Sequence, residues 1–515
     1  MKVPCYIRRS GNGVVIAAAL SLGGCAPGPD YQPPRPVTPE VFNSMPPQGG
    51  AKILPSAPRA DWWKAFGDPQ LNSLIERAVQ GNLSLQQTVL RIAGARQQLD
   101  QARGAWAPSA SGNARFSRQQ LGIKGELESQ GVDDRLNGMG NADSLRPVLD
   151  SLEKPIGLYQ GSFDASWELD LWGKVRRQVE MADARQQQSV EERNDALVSL
   201  EAEVARAYLQ LRGAQAITRT IETQIDVAQL MLELTRSQQQ NGLAPQTNVE
   251  NARAQLSSLR AQLPHYQAQI HQAMNGLAVL TGKVPGALDA ELTPRKALTL
   301  LPPAVPVGVP SELARRRPDV RAAEASLHAA TASIGVSVAQ LFPSLSLSGQ
   351  FGVRNSDASY LDRWSSNFYS FGPSITLPIF QGGRLVSGVK LARAQQASAA
   401  LQYRQTVLTA LQDVENALVS YRSDLQQVTG LDDSAQALQN ACNLASVSYR
   451  QGLSSFIEPL DAQRQLAQLQ QQAEQARVQS LLDLVALYKA LGGGWESWQK
   501  VHLPDYPVFG AAEKP

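Results

Sequence analysis

Glu458 and Asp461 are the two carboxylates whose spacing first draws attention, in the stretch Tyr449 to Leu466, YRQGLSSFIEPLDAQRQL. Three residues apart on a helix, they share one face about a turn from each other. Nothing nearby equips them for catalysis. The four histidines fall at 265, 271, 328 and 502, and no two have a metal-ligand spacing such as HExxH. No GxSxG or GxxxxGK[ST] occurs, and no histidine–carboxylate cluster. The run Gly492–Gly494 lacks a following Lys-Ser and closes a helical pattern, which is the role of a C-cap and not of a phosphate cradle. An enzyme is therefore not expected, and neither a cofactor nor a metal. Two readings of the acids remain. They are exposed carboxylates at a helix N-terminus, stabilised by its dipole by about 0.3–1 kcal/mol, or they are the charge at the mouth of a pore.

The cysteines, at 5, 25 and 442, form no CxxC and no disulfide framework. Cys25 has a different context. Lys2, Arg8 and Arg9 make a basic start, and Val14 to Leu22 is an apolar core too short to span a bilayer. The sequence Leu22-Gly23-Gly24-Cys25 then resembles the lipobox of bacterial lipoproteins, cut before the cysteine and acylated on it. An ordinary secretory signal with an incidental cysteine is the alternative. Ala26, in place of Asp, implies outer-membrane sorting by the same resemblance. Each buried methylene of an acyl chain adds about 0.8 kcal/mol of anchoring. Residues 1–24 are thus expected to be a signal peptide and 25–60 a lipid anchor with a proline-rich linker, extended and without a core of its own.

The elements that must position these residues are mostly helices. Of 515 residues 18% are charged, with a net charge of +2, so no nucleic-acid-binding surface is implied. No apolar run of about 20 residues follows the N-terminus, so no transmembrane helix is expected. Asp68-Pro69 opens a helix, and Leu83 to Arg103 continues as one. Lys174 to Leu243 and Arg384 to Glu458 contain no proline, and helices of that length would be on the order of 100 Å long. Val407, Leu411, Val414, Leu418, Tyr421, Leu425 and Val428 step by four and three, the seam of a left-handed supercoil. Cys442 stays in that phase and is expected to be a small buried residue. A curved wall of helices needs two such seams.

The pattern recurs 210 residues apart. Gly173 matches Gly383, Arg212 matches Arg422, Gly242 and Leu243 match Gly452 and Leu453, and Gly282 matches Gly492. Earlier, Pro108-Ser109 matches Pro343-Ser344 at an offset of 235, so the first half carries about 25 extra residues, assigned to a surface loop from Leu121 to Leu158. The halves are 61–282 and 311–492, joined by 283–310 and followed by a tail, 493–515. Each holds two alternating segments, in about 109–171 and about 344–379. Phe163, Ala165, Trp167 and Leu169 alternate with Asp164, Ser166 and Glu168, and Leu345, Leu347, Gly349 and Phe351 with Ser346, Ser348 and Gln350. Such segments fit outer-membrane barrel strands, and equally a half-buried sheet in a soluble domain. Four strands cannot close a barrel, so a membrane reading requires two or three chains to pool theirs.

Several local motifs carry a family resemblance: Gly28-Pro29-Asp30-Tyr31, Trp62-Trp63 with Asp68-Pro69, Arg317-Pro318-Asp319-Val320-Arg321, Leu460-Asp461-Ala462-Gln463-Arg464, and Leu487 to Trp495, LYKALGGGW. Together they resemble the TolC-like outer-membrane factors, in the lipoprotein drug-efflux branch of OprM/NodT-like outer membrane efflux proteins. The resemblance implies a homotrimer of mainly α fold. Four strands per chain form a 12-stranded transmembrane β-barrel, continued by a long α-helical periplasmic barrel with a small α/β equatorial belt. It also implies the outer-membrane channel of a tripartite, RND-type efflux pump. The chain would be a passive conduit for drugs or other small toxic molecules, served by a periplasmic adaptor and an inner-membrane pump. The duct of a type I protein secretion system and a lipid-anchored coiled-coil scaffold are the competing functions. At the tips the resemblance assigns adaptor contacts to Gly242, Leu243, Gly452, Leu453 and Ser454, and a periplasmic gate to Ile457, Glu458 and Asp461. Pro459 departs from the apolar residue expected there and leaves the direction of Glu458 open. The first half has Asn248 and Asn251 at the positions of the two acids, so the turn is shared and the charge is not.

Overall fold

The computed structural model describes residues 27–499, apart from 36–37, 45–52, 55, 57–58, 121–124, 126–128, 132–154, 297 and 299–303. The signal peptide, Cys25, the tail beyond residue 499 and most of the surface loop lie outside the described residues. The chain divides into two compact units: Met1–Tyr31, Gln97–Ala182 and Ala329–Gln396 form one, and Gln32–Arg96, Asp183–His328 and Ala397–Pro515 the other. The elements, in chain order, are β1 (Ile53–Leu54), α1 (Pro69–Gly81), α2 (Leu83–Gly104), β2 (Ser109–Gln119), β3 (Ile156–Leu169), α3 (Lys174–Gln240), α4 (Gln246–Leu280), α5 (Asp289–Leu292), β4 (Val305–Pro306), α6 (Pro310–Arg316), α7 (Pro318–Ala339), β5 (Ser344–Asn355), β6 (Asn367–Thr376), α8 (Arg384–Arg450) and α9 (Ile457–Ala490).

The first unit is built on an antiparallel sheet in the order β2-β3-β5-β6. Its register sorts the side chains by chemistry. Gly112, Phe163, Phe351 and Tyr369 stand opposite one another across all four strands, and so do Ala110, Ala165, Gly349 and Phe371. The intervening rows are polar: Ser111, Asp164, Gln350 and Ser370, then Ser109, Ser166 and Ser348. One face is therefore apolar and the other polar, and Phe163, Tyr369 and Phe371 of the apolar face are largely exposed. Phe368 departs from this, an aromatic on the polar face covered by the Arg354 guanidinium at 5.1 Å, as do Ile156 and Leu158 at the end of β3. Two boundaries differ from expectation. β6 ends at Thr376, ahead of Leu377 and Ile379, because its partner β5 begins at Ser344, directly opposite Thr376. The surface loop also gives up Ile156 to Leu158, which pair with Ser117 to Gln119.

α3 and α8, most of whose residues belong to the second unit, are each 67 residues long, about 100 Å at 1.5 Å per residue. Both begin and end 210 positions apart, and α2 and α7, each of 22 residues, begin and end 235 apart. Val407, Val414, Leu418 and Tyr421 of the α8 seam are buried, while Leu425 and Val428 beyond them are only half-buried. Cys442 is buried as its phase requires. The main core gathers Trp62, Trp63, Leu74 and Ile75 with Tyr208, Leu209, Leu484 and Tyr488, and Trp62 stacks on Tyr488 at 5.2 Å.

The linker differs from the free extended segment expected of it. Phe42 is buried in this core, Asn43 and Ser44 donate their backbone N–H groups to Glu415 at 2.7 and 3.0 Å, and β1 pairs in parallel with β4. Lone apolar residues in a proline-rich segment cannot make a core, but they can join one. Two arginines hold these non-helical segments from equivalent positions. Arg212, fully buried, donates to the Pro294 carbonyl at 2.9 Å, and Arg422 to the Ser44 carbonyl at 2.8 Å.

Candidate functional site: the helical tips

The two helix pairs of the second unit, α3–α4 and α8–α9, turn in the same way. α3 ends on Gly242 at φ +72°, and α8 on Gly452 at φ +75°. In the first turn Leu243 N–H donates to Gln238 O at 2.8 Å and Gly242 N–H to Gln239 O at 3.0 Å. In the second, Leu453 N–H donates to Ser448 O at 2.9 Å and Gly452 N–H to Tyr449 O at 3.0 Å. These pairs define the Schellman cap, which needs a left-handed residue that only glycine supplies without strain. Both caps leave a leucine in solvent, Leu243 at 78% exposed and Leu453 at 76%. Ser454 is half-buried.

α9 begins at Ile457, so Glu458 lies in its first turn and the buried Pro459 in its third position, where a missing N–H leaves no gap. Ile457 N–H finds Ser455 Oγ at 3.1 Å. Ile457, Glu458 and Asp461 are exposed along one face, and Asp461 Oδ2 accepts from Gln465 Nε2 at 2.8 Å. Glu458, whose direction was open, points to solvent. Both tips share a small core of Ala228, Leu232, Val249, Ala252 and Phe456 with Tyr449 and Leu460. Tyr449 stands 5.5 Å from Phe456, and its hydroxyl donates to Gln238 Oε1 of α3. This tyrosine bridge between hairpins was missed from sequence; the phase of Tyr449 in the α8 seam was its only signal.

The motifs that carried the family resemblance are structural clamps. Arg317 donates to Asp319 at 2.8 Å, to Asp413 of α8 at 3.1 Å and to the Ala490 carbonyl of α9 at 3.0 Å. Arg321 lies over the Trp495 ring at 4.9 Å and pairs with Glu191 at 2.6 Å. Glu201 is fully buried beneath the same segment and accepts from Trp498 Nε1 at 2.9 Å, and its burial holds the carboxyl well above the usual carboxylate range. In the other unit, Asp30 pairs with the buried Arg177, and Gly28 packs so closely on Gly335 that a side chain would not fit.

A second carboxylate pair escaped the sequence altogether. Burial, with Asp483 of α9 beside it, pushes Asp424 of α8 up to about 6. Its folded value stands above that of the unfolded chain, so the protonated form favours folding in full below about pH 4. That advantage is lost as pH rises through about 6. Asp424→Asn is expected to stabilise the helices against urea by about 1 kcal/mol near pH 8, a figure reduced for solvent screening, and to change nothing near pH 4. Equal effects at both pH values would contradict this pairing.

The model of the family described as outer membrane efflux protein matches residues 74–283 and 309–493. The chain belongs to the outer membrane efflux protein family. The toluene efflux pump outer membrane protein TtgC of Pseudomonas putida is 31% identical over 485 residues, covering 93% of this chain and 95% of TtgC. Outer membrane protein OprJ of Pseudomonas aeruginosa is 32% identical over 485 residues, with the same coverage. Among solved structures, the outer-membrane channel OprN aligns with a TM-score of 0.81 at 31% identity, covering 92% of this chain and all of that one. This efflux protein thus has the mainly helical TolC-like channel fold and is an outer-membrane channel component, not an enzyme.

Proposed function

We propose that three copies of this chain form the outer-membrane conduit of a tripartite, RND-type pump that exports drugs, solvents and other small toxic molecules. The observation that carries this reading is the four-stranded sheet, apolar on one face and polar on the other, whose edge strands β2 and β6 have no further strand beside them among the described residues. An open edge is costly in lipid, so the strands of several chains must close on one another. Two chains would give about eight strands, whose interior is filled by side chains, whereas three give twelve and room for a channel. An exposed stripe on α8, Leu401, Leu408 and Val419, supports the same assembly, since its spacing keeps one face and calls for a neighbouring helix. The shared tip caps and the equal lengths of α3 and α8 favour descent from a duplicated half.

Cys25 carries the lipid in this reading. Gly28, fastened to Gly335, is three residues on, a reach of about 10 Å, which favours anchoring near the helix–strand junction at Ala339 to Ser344. The helices form the periplasmic tunnel, the exposed Leu243 and Leu453 with Gly242, Gly452 and Ser454 meet a periplasmic adaptor, and an inner-membrane pump supplies the energy. Ile457, Glu458 and Asp461 form the gate. Detergent extraction of outer membranes is expected to yield a heat-resistant, trimer-sized, β-rich species, and deletion of the gene to sensitise cells in a drug and solvent panel. A purely helical soluble product would overturn the pore reading.

A further inference from the structure

Glu201 of α3 is a carboxyl that the channel reading does not use. It is fully buried, and the turn that follows α9, Gly494 to Trp498, closes over it. We propose that Glu201 is a proton-operated latch: while its carboxyl is neutral the turn stays seated, and when it ionises the turn lifts and slackens the clamp that Arg317 and Arg321 form between α7 and the helices around it.

The two oxygens of the carboxyl are held differently. Oε1 accepts from Trp498 Nε1 at 2.9 Å, whereas Oε2 is buried and has no hydrogen-bond partner among the described residues. Gly494, at φ +124°, presses its backbone against the carboxyl, and a Cβ there would overlap Oε2. Glu496 of the same turn accepts from Gly494 N–H at 3.0 Å and pairs with Arg316 of α6 at 2.8 Å, so it is the ionised one of the two acids. Around Glu201, burial and the Glu496 charge oppose ionisation, while the Trp498 and Trp62 indoles and Arg193 of α3 favour it; burial is the largest, and the carboxyl is held well above its ordinary range. An unpartnered oxygen is costly when neutral and far more so when charged. With the turn open the carboxyl returns to water and to its ordinary value, about 4.3. The proton therefore favours the closed turn in full below that value, and the advantage is lost as pH rises through the higher, closed-state value. Lifting the turn parts Glu496 from Arg316 and the Trp495 ring from Arg321 of α7. Gly492, two residues before the turn, packs on the side chain of Arg317, whose guanidinium reaches Asp413 and the Ala490 carbonyl. On the periplasmic placement proposed above, where protons equilibrate with the medium, external pH sets the latch; the test reads the turn itself and stands apart from that placement.

The full, detergent-extracted protein is labelled with a nitroxide at Ser497→Cys, an exposed position of the turn, in a Cys442→Ala background. The same protein without Ser497→Cys sets the blank. In the electron paramagnetic resonance spectrum the ratio of mobile to immobile label is expected to rise between about pH 5 and about pH 9, by up to about tenfold per pH unit where one proton is released. Glu201→Gln, which keeps the shape and cannot ionise, should give a ratio that does not change with pH, and Glu201→Met serves as the second variant should the amide not fold. The helical signal should stay constant across the range. A ratio independent of pH with Glu201 in place, a rise that survives its substitution, or a rise seen only with loss of the helical signal would each overturn the proposal. A surviving rise would belong to another group, such as Asp424.

Discussion

Gly282→Ala is expected to destabilise the chain by roughly 3 kcal/mol or more, adding a steric overlap to left-handed strain, while Gly242→Ala costs only about 1 kcal/mol. The two glycines have nearly the same backbone, φ +71° and +72°, and both close a long helix with a Schellman cap. Their surroundings decide the difference. A Cβ on Gly242 would meet open space, whereas one on Gly282 would overlap the carbonyl oxygen of Gly81. The contact is reciprocal, since a Cβ on Gly81 would overlap the carbonyl oxygen of Thr281. Here the ends of α1 and α4 touch backbone to backbone, and Asn82 Nδ2 ties them by donating to the Leu280 carbonyl at 3.0 Å. No rotamer change can relieve an overlap with a main-chain atom, so one helix end must move out of the core that holds Leu277 and Ala278. Urea unfolding followed through the helical signal, on both variants side by side, measures the difference. A Gly282→Ala variant as stable as Gly242→Ala would contradict the close approach.

Periodicity made the long elements legible. The proline-free spans announced α3 and α8, and the two-residue alternation announced all four strands with the correct face for nearly every side chain, because the two faces of the sheet differ so sharply in polarity. Turn chemistry was legible too: Gly242 and Gly452 are left-handed where the pattern broke. Contacts between distant segments were not. Arg212 and Arg422 stood out as a matched pair, yet that each holds a backbone carbonyl of a non-helical segment depends on where Pro294 and Ser44 come to lie. Asp424 and Asp483 are 59 positions apart on different helices, and only packing makes them neighbours. Phe42 lies in the proline-rich linker, and the core it joins includes Leu209 and Tyr488, which no local pattern connects to it. Where apolar rows were expected to need two seams, one is buried within the chain, and Leu401, Leu408 and Val419 are exposed.

Replacing Glu458 and Asp461 together by alanine is expected to raise single-channel conductance in planar bilayers by roughly twofold or more and to weaken cation preference, as removal of a ring of charge at a constriction should. The prediction rests on the proposed trimer, in which each carboxylate occurs three times around the axis. Both side chains are exposed on one face of α9, beside an Ile457 that is 63% exposed and would supply the apolar part of the constriction. An exposed carboxylate in the first turn of a helix gains only a little from the dipole, so their loss should not disturb folding. The internal symmetry of the chain supplies the control. Asn248 and Asn251 occupy the same places on α4, where the cap is the same and the charge is absent. Asn248→Ala with Asn251→Ala should therefore leave conductance and selectivity as they are. Raised salt should shrink the difference between the acidic channel and its alanine variant, because the fields of exposed charges are screened over about 10 Å at 0.1 M and about 3 Å at 1 M. Unchanged conductance and cation preference in the double variant would remove Glu458 and Asp461 from the gate and leave them as solvated carboxylates at a helix start.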